Sequence, residues 1–205
     1  MKPCVITIGR EFCSGGAEIG KKVAEYFDIP YYDKSILDEA GKLLGMHEDD
    51  VKKHDERKDH YWDMPGYRYG MYVDDPSLLL PPGMRLAQAQ FDLMRRYAQE
   101  GPCVIVGRCA DYILKEYPRS VHVFIYADIE KRVERCMRLY GLTDPQARKL
   151  IKKTDKVRSA YYKNYTKSEW GAPGHYDLRI DAGRIGIRAA VDEIIEFVRT
   201  ERWEE

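Results

Sequence analysis

Residues 4 to 22 read Cys4-Val5-Ile6-Thr7-Ile8-Gly9-Arg10-Glu11-Phe12-Cys13-Ser14-Gly15-Gly16-Ala17-Glu18-Ile19-Gly20-Lys21-Lys22. The run from Cys4 to Ile8 is short, apolar and rich in β-branched residues, which predicts a strand buried on both faces. Ile19, Val23 and Tyr26/Phe27 then recur at i, i+4 and i+7/i+8, the stripe of an amphipathic helix. A glycine turn between strand and helix gathers backbone N–H groups and the positive end of a helix dipole at one point, which suits a phosphate. Glycine matters there because side chains would hold the phosphate away from the amides. A plain strand-to-helix turn that binds nothing is the competing interpretation, and no G-x-G-x-x-G dinucleotide pattern is present.

Two registers compete for this turn. A literal G-x-x-x-x-G-K occurs at Gly15 to Lys21, but its next residue is Lys22 rather than Ser or Thr, and it would leave Ile19 outside the stripe. The preferred register spans Gly9 to Gly16. It lacks the Lys that ordinarily touches the β- and γ-phosphates and the hydroxyl that ordinarily holds Mg²⁺. Arg10, Lys21 or Lys22 are the candidates to supply charge, and Ser14 to supply oxygen.

Outward from this segment, strand-like runs alternate with segments of helical period, the pattern of βαβ units and a parallel sheet. Strands are predicted at Cys4 to Ile8, Cys103 to Val106 and Val121 to Tyr126, with weaker candidates at Ile29 to Tyr32 and Tyr176 to Ile180. Helices are predicted over about Lys34 to Leu44, Met84 to Glu100 and Ile129 to Leu139, the last closed by Gly141. Another stripe runs through Ile187, Val191, Ile194/Ile195 and Val198. Thr143 to Gln146 forms a capping-box pattern that opens a further helix. Residues 47 to 83 begin with a solvated charged helix and contain a Tyr-dense stretch from 61 to 72. That stretch suits stacking on a base or a subunit contact, a homodimer included.

The chain has 205 residues, room for one domain with an insertion. Its composition, 44% hydrophobic and 33% charged, is too apolar for disorder. Lys plus Arg (34) balances Asp plus Glu (34), so the excess positive charge of a nonspecific nucleic-acid or membrane-surface binder is absent. Any anion site must be local. The five Cys form no C-x-x-C pair, consistent with reduced thiols in a cytoplasmic protein, and the N-terminal apolar run is too short for a signal peptide. The five His form no metal-ligand pattern with Cys, and no protein metal site is expected.

Ligands of open α/β sheets sit beyond the carboxyl ends of strands. Arg108 and Asp111 lie just past the strand ending at Val106, where an Arg fork can grip a phosphate or the two residues can pair. Asp33 holds the comparable position after Tyr32, with helix N-capping as its alternative role. Residues 148 to 167 carry eight basic side chains against one acid, Asp155. This run suits a lid that brings Arg158 over a transferring phosphoryl group, a solvated face, or a nucleic-acid patch, though no nucleic-acid motif accompanies it.

The stretches Ile6 to Gly16, Tyr31 to Lys34, Cys103 to Leu114 and Asp155 to Tyr162 together resemble the cytidylate kinase-like family of P-loop proteins. The resemblance implies a three-layer α/β P-loop NTPase fold with a five-stranded parallel sheet. It divides the single domain, residues 1–205, into a core (1–34, 101–141, 169–205), a helical acceptor-binding insertion (35–100) and a helical lid (142–168). It further implies transfer of the γ-phosphoryl of ATP, with Mg²⁺, to a nucleoside monophosphate, CMP or dCMP first. By position, Arg108, Asp33 and Asp111 resemble acceptor-binding residues, Arg158 a lid arginine and Arg132 an arginine near the adenine. Arg10, Ser14, Gly15 and Gly16 would meet the donor phosphates, and Lys21, Arg108 and Arg158 would carry catalysis. No counterpart of the acceptor-site Arg appears in Ser35 to Asp38. The rival to an enzyme is a nucleotide-binding regulatory protein without turnover, favoured by the missing loop Lys and Ser/Thr.

Overall fold

The computed structural model describes residues 4–54 and 80–200, so the Tyr-dense stretch from 61 to 72 lies outside the described residues. Five strands form one parallel sheet: β1 (Val5–Arg10), β2 (Tyr31–Tyr32), β3 (Cys103–Val106), β4 (Ser120–Tyr126) and β5 (Leu178–Asp181), in the spatial order β2-β3-β1-β4-β5. The helices are α1 (Gly16–Phe27), α2 (Ser35–Leu43), α3 (Glu48–His54), α4 (Pro82–Glu100), α5 (Ala110–Ile113), α6 (Ile129–Tyr140), α7 (Asp144–Thr166) and α8 (Ala182–Thr200), with a 3₁₀ turn at Pro173–His175.

The three central strands read as apolar runs because both of their faces are covered. Along β3, Val104 and Val106 join Ile6 and Ile8 of β1 in a core closed by α1 and α8, while Cys103 and Ile105 turn the other way with Val5 into a core closed by α2, α4 and α5. A period of two thus sorts each strand between two cores. A third, smaller cluster lies between α6 and α7, where Val133, Cys136, Ala147 and Ile151 pack against Phe12 and Cys13 of the turn after β1.

The weaker strand candidates are real but shorter than expected. At β5, Tyr176 packs its ring on Phe124 at 5.0 Å, and the Asp177 N–H donates to the His122 carbonyl at 2.7 Å, so the ladder begins only at Leu178. His122 is structural: its ring shares hydrogen bonds with Thr7 Oγ1 (2.7 Å) and Ser120 Oγ (3.1 Å), and burial lowers its pKa. Gln146 Oε1 accepts from both the N–H and the hydroxyl of Thr143, at 2.9 Å each, fixing the entry to α7. Inside α8, Gly186 (φ 83°, ψ 163°) breaks the helix, and the Val191, Ile194, Ile195 and Val198 stripe follows the break. The five cysteines are free thiols. Among the described residues no helix is long and apolar enough to cross a membrane, and no group of three or more His, Cys, Asp and Glu is placed to hold a metal ion.

Candidate functional site

The turn after β1 is short, and α1 begins at Gly16. Ile19 is its first residue to make a helical bond back into the turn, donating to Gly15 O at 3.0 Å. The amides of Gly16, Ala17 and Glu18 therefore precede the helix's own donors and face the turn. The later glycine, Gly20, is inside α1 and packs against the sheet: a Cβ there would stand 3.0 Å from both Ile8 Cδ1 and Val106 Cγ2. The helix thus starts where the Gly9 to Gly16 register requires. Gly15 takes φ 100°, in the left-handed region that favours glycine.

Beside the turn lies a recess of about 270 Å³ lined by Arg10, Glu11, Phe12, Cys13, Gly15 and Gly16, with Asp33, Arg135 and Arg158 at its walls. The Ser14 hydroxyl faces away from it. Ser14 is buried and donates to Glu11 O and Ile125 O, both at 3.0 Å, which ties the turn to β4. Asp33 accepts from Arg10 Nη2 at 3.3 Å and from Tyr31 OH at 3.4 Å, and α2 begins at Ser35 without a side-chain cap. Asp33 lies with the turn rather than with Arg108.

A second, tighter cavity of about 40 Å³ opens past the end of β3, where Gly9, Arg10, Arg108, Asp111, Arg158 and Trp170 are among its lining residues. Its floor is a buried carboxyl group: Asp111 accepts from Tyr162 OH at 2.6 Å. Burial raises the Asp111 pKa, and the hydrogen bond from the Tyr162 phenol pulls it partly back. The backbone supporting Arg108 is unusual. Gly107, Arg108 and Cys109 follow one another at φ 80°, 59° and 59°, a run of left-handed residues of the kind that gathers at ligand sites. Arg10 and Arg158 line both cavities.

Arg158 reaches the turn from α7: its Nη1 donates to Arg10 O at 3.2 Å and its guanidinium lies 5.4 Å from the centre of the Phe12 ring. Its buried Nε has no hydrogen-bond partner. Arg132 is drawn inward. Its Nη1 donates to Asp155 Oδ2 at 2.5 Å and to Phe12 O at 3.4 Å, and Nε faces Glu11 Oε2 at 3.4 Å as an ion pair without hydrogen-bond geometry. Arg135 and Arg138, farther along α6, instead line a neighbouring recess of about 160 Å³. Lys21 points outward from α1, with Nζ 3.9 Å from Glu25, and lines none of these cavities.

Several members of the site carry no sequence pattern of their own. Phe12 is held at both ends of its peptide unit, with Asp155 Oδ1 accepting from its N–H at 2.8 Å, and its ring stacks on Tyr140 with centroids 5.9 Å apart. Glu11 accepts from the Ala127 N–H at 3.1 Å, and burial raises its pKa despite Arg132. The one signal available was Asp155, the single acid in the basic run.

Comparison with known proteins follows the same lines. A cytidylate kinase from Methanopyrus kandleri (strain AV19) is 24% identical over 208 residues, covering 94% of this chain and 95% of that protein. The crystal structure of an uncharacterized protein from Eubacterium ventriosum ATCC 27560 is 30% identical, with a TM-score of 0.74 over 97% of this chain and 99% of that one. Shikimate kinase from Bacteroides thetaiotaomicron, at 12% identity and a TM-score of 0.56 over 96% and 98% of the two chains, shares the P-loop kinase fold. The model of the cytidylate kinase-like family matches residues 5–184, across the turn, the Gly107-Arg108 strand end and α7, and the chain belongs to that family.

Proposed function

We propose that this protein transfers the γ-phosphoryl group of ATP to a nucleoside monophosphate, with CMP or dCMP the first acceptors to try. The supporting observation is that Arg10 and Arg158 line both the recess at the turn and the cavity past β3. Phosphoryl transfer needs positive charge between donor and acceptor and little covalent help. The donor phosphates rest on the amides of Gly15 and Gly16, and the acceptor phosphate meets Arg108. One of its oxygens attacks the γ-phosphorus as the bond to ADP breaks. α7 acts as the lid carrying Arg158. A base lying over α6 would meet Arg135 and Arg138 before Arg132.

Mg²⁺ takes hard oxygen donors and keeps several of its waters. Asp33, Glu11 and Glu18 line the recess at the turn, but they face Arg10, Arg132 and Arg135, and among the described residues no group of three such side chains is placed to hold a metal, so the ion would come with the phosphates, keep its waters and neutralise their charge.

Binding without turnover is the second reading. It is favoured by the inward Ser14 hydroxyl and the outward Lys21. A coupled assay with ATP, Mg²⁺ and a panel of nucleoside monophosphates separates the two: ADP formation with at least one acceptor supports the kinase, and saturable ATP binding with none supports the regulator. With an acceptor found, Arg108→Ala is expected to raise its KM by about 10- to 100-fold, the loss of one charge-assisted contact, with ATP affinity nearly unchanged. Equal loss of both would assign Arg108 to the donor side.

A further inference from the structure

We propose that Arg10 is the cation that replaces the absent loop lysine, bridging donor and acceptor phosphates, and that Asp33 is its positioning residue rather than an acceptor ligand. The inference rests on the phosphoryl-transfer reading above and assigns that reaction its fixed charge.

A phosphate loop ordinarily carries a lysine that follows the β- and γ-phosphates through the reaction. Here the first turn of α1 offers Gly16 and Ala17 instead, and Lys21 is turned away to Glu25. Arg10 is the last residue of the central strand. The protein has made room for it on two sides. A Cβ at Gly107 would overlap Arg10 Nη1 and stand 2.8 Å from its Cζ, so the guanidinium lies directly on the backbone at the end of β3. A Cβ at Gly16 would stand 2.5 Å from Arg10 Cβ, so the stem of the side chain lies on the first residue of α1. Two glycines from different elements thus admit one arginine where the two cavities meet.

Asp33 completes the arrangement. One oxygen accepts from Arg10 Nη2 at 3.3 Å and the other from Tyr31 OH at 3.4 Å, so the carboxylate is anchored from β2 and orients the fork. A planar guanidinium presents donors to two phosphate oxygens in a fixed fork, where a lysine ammonium brings its three donors on a flexible stem. Arg158 also lines both cavities, but it arrives on α7 and is held through the Arg10 carbonyl and the Phe12 ring, whereas Arg10 belongs to the sheet.

The test measures kcat, the KM of each substrate, and ATP affinity by calorimetry without acceptor, on folded protein checked by thermal unfolding. Arg10→Ala is expected to lower kcat by about 10²-fold or more and to weaken ATP, with partial recovery on adding free guanidinium ion but not ammonium. Arg10→Gln keeps most of the stem and removes the charge, so it serves if Arg10→Ala does not fold. Asp33→Asn is expected to lower kcat about tenfold with the acceptor KM unchanged. A folded Arg10 variant within threefold of the wild type in kcat and ATP affinity would overturn the inference while leaving phosphoryl transfer intact. A raised acceptor KM at full kcat in Asp33→Asn would overturn the role given to Asp33. Wild-type protein that binds no ATP would remove the underlying reading and this inference together.

Discussion

Asp111 shows how much of the site depends on single side chains far apart in sequence. From Gly107 to Asp111 alone, it looks like a ligand or the partner of Arg108. In the fold its hydrogen bond comes from Tyr162, 51 residues later, and no local periodicity could announce that. A buried acceptor stripped of its donor costs about 1–3 kcal/mol. Tyr162→Phe is therefore expected to destabilise the protein by about that amount in denaturant titrations. The pH dependence follows from the folded-state pKa of Asp111, raised by burial from its ordinary 3.8. Such a group detracts from stability as pH rises through its folded-state pKa. Removing the phenol raises that pKa further, so the deficit of Tyr162→Phe should widen from acidic toward neutral pH.

Among the elements, β1, β3 and β4 were legible because each is an apolar run covered on both faces, and α1 because Ile19 and Val23 keep its stripe. The basic run of α7 was less so: its charges describe its outer face, while its docking depends on Asp155. That carboxylate joins three elements, taking the Phe12 N–H and the Arg132 guanidinium, with side chains of Arg132 and Asp155 only 10% and 19% exposed. Asp155→Ala is expected to cost about 3 kcal/mol, the lower end for a broken buried pair because Glu11 still faces Arg132. Hydrogen exchange distinguishes this from general softening: the Phe12 amide, losing its acceptor, should exchange faster than amides in β1 and β4. Unchanged protection at Phe12 would show that α7 is held elsewhere. β2 was legible only as a weaker and longer candidate because two residues carry no period, and the break at Gly186 escaped the sequence because its backbone conformation leaves no mark on the hydrophobic stripe.

For the molecule as a whole, equal numbers of acidic and basic residues conceal a strongly uneven arrangement. Arginines from β1, the turn after β3 and α7 converge on one cleft, while the acids that balance them include Glu11, Asp33 and Asp155 at its edges. Strand order, which puts β1 between β3 and β4 and so brings Arg10 beside Gly107, is a property of the folded sheet that no single segment encodes. The pH behaviour of the molecule carries the mark of His122. Burial holds its folded pKa below the ordinary 6.5, so the unfolded chain takes up a proton first. Stability is then full above about pH 6.5 and falls as the solution is acidified toward the folded-state value. His122→Gln should flatten that part of the profile in thermal unfolding between pH 7 and 5, and an unaltered slope would assign the acid sensitivity to other groups.

The three successive left-handed residues at 107 to 109 restrict how this protein can drift over generations. A branched Cβ is badly accommodated at a positive φ. Valine, isoleucine and threonine are therefore barred at positions 108 and 109 by local geometry, whatever the chemistry of the cleft demands. Glycine and asparagine remain open to position 109, so descendants of this sequence can trade its thiol away more readily than they can stiffen the corner that presents the neighbouring arginine.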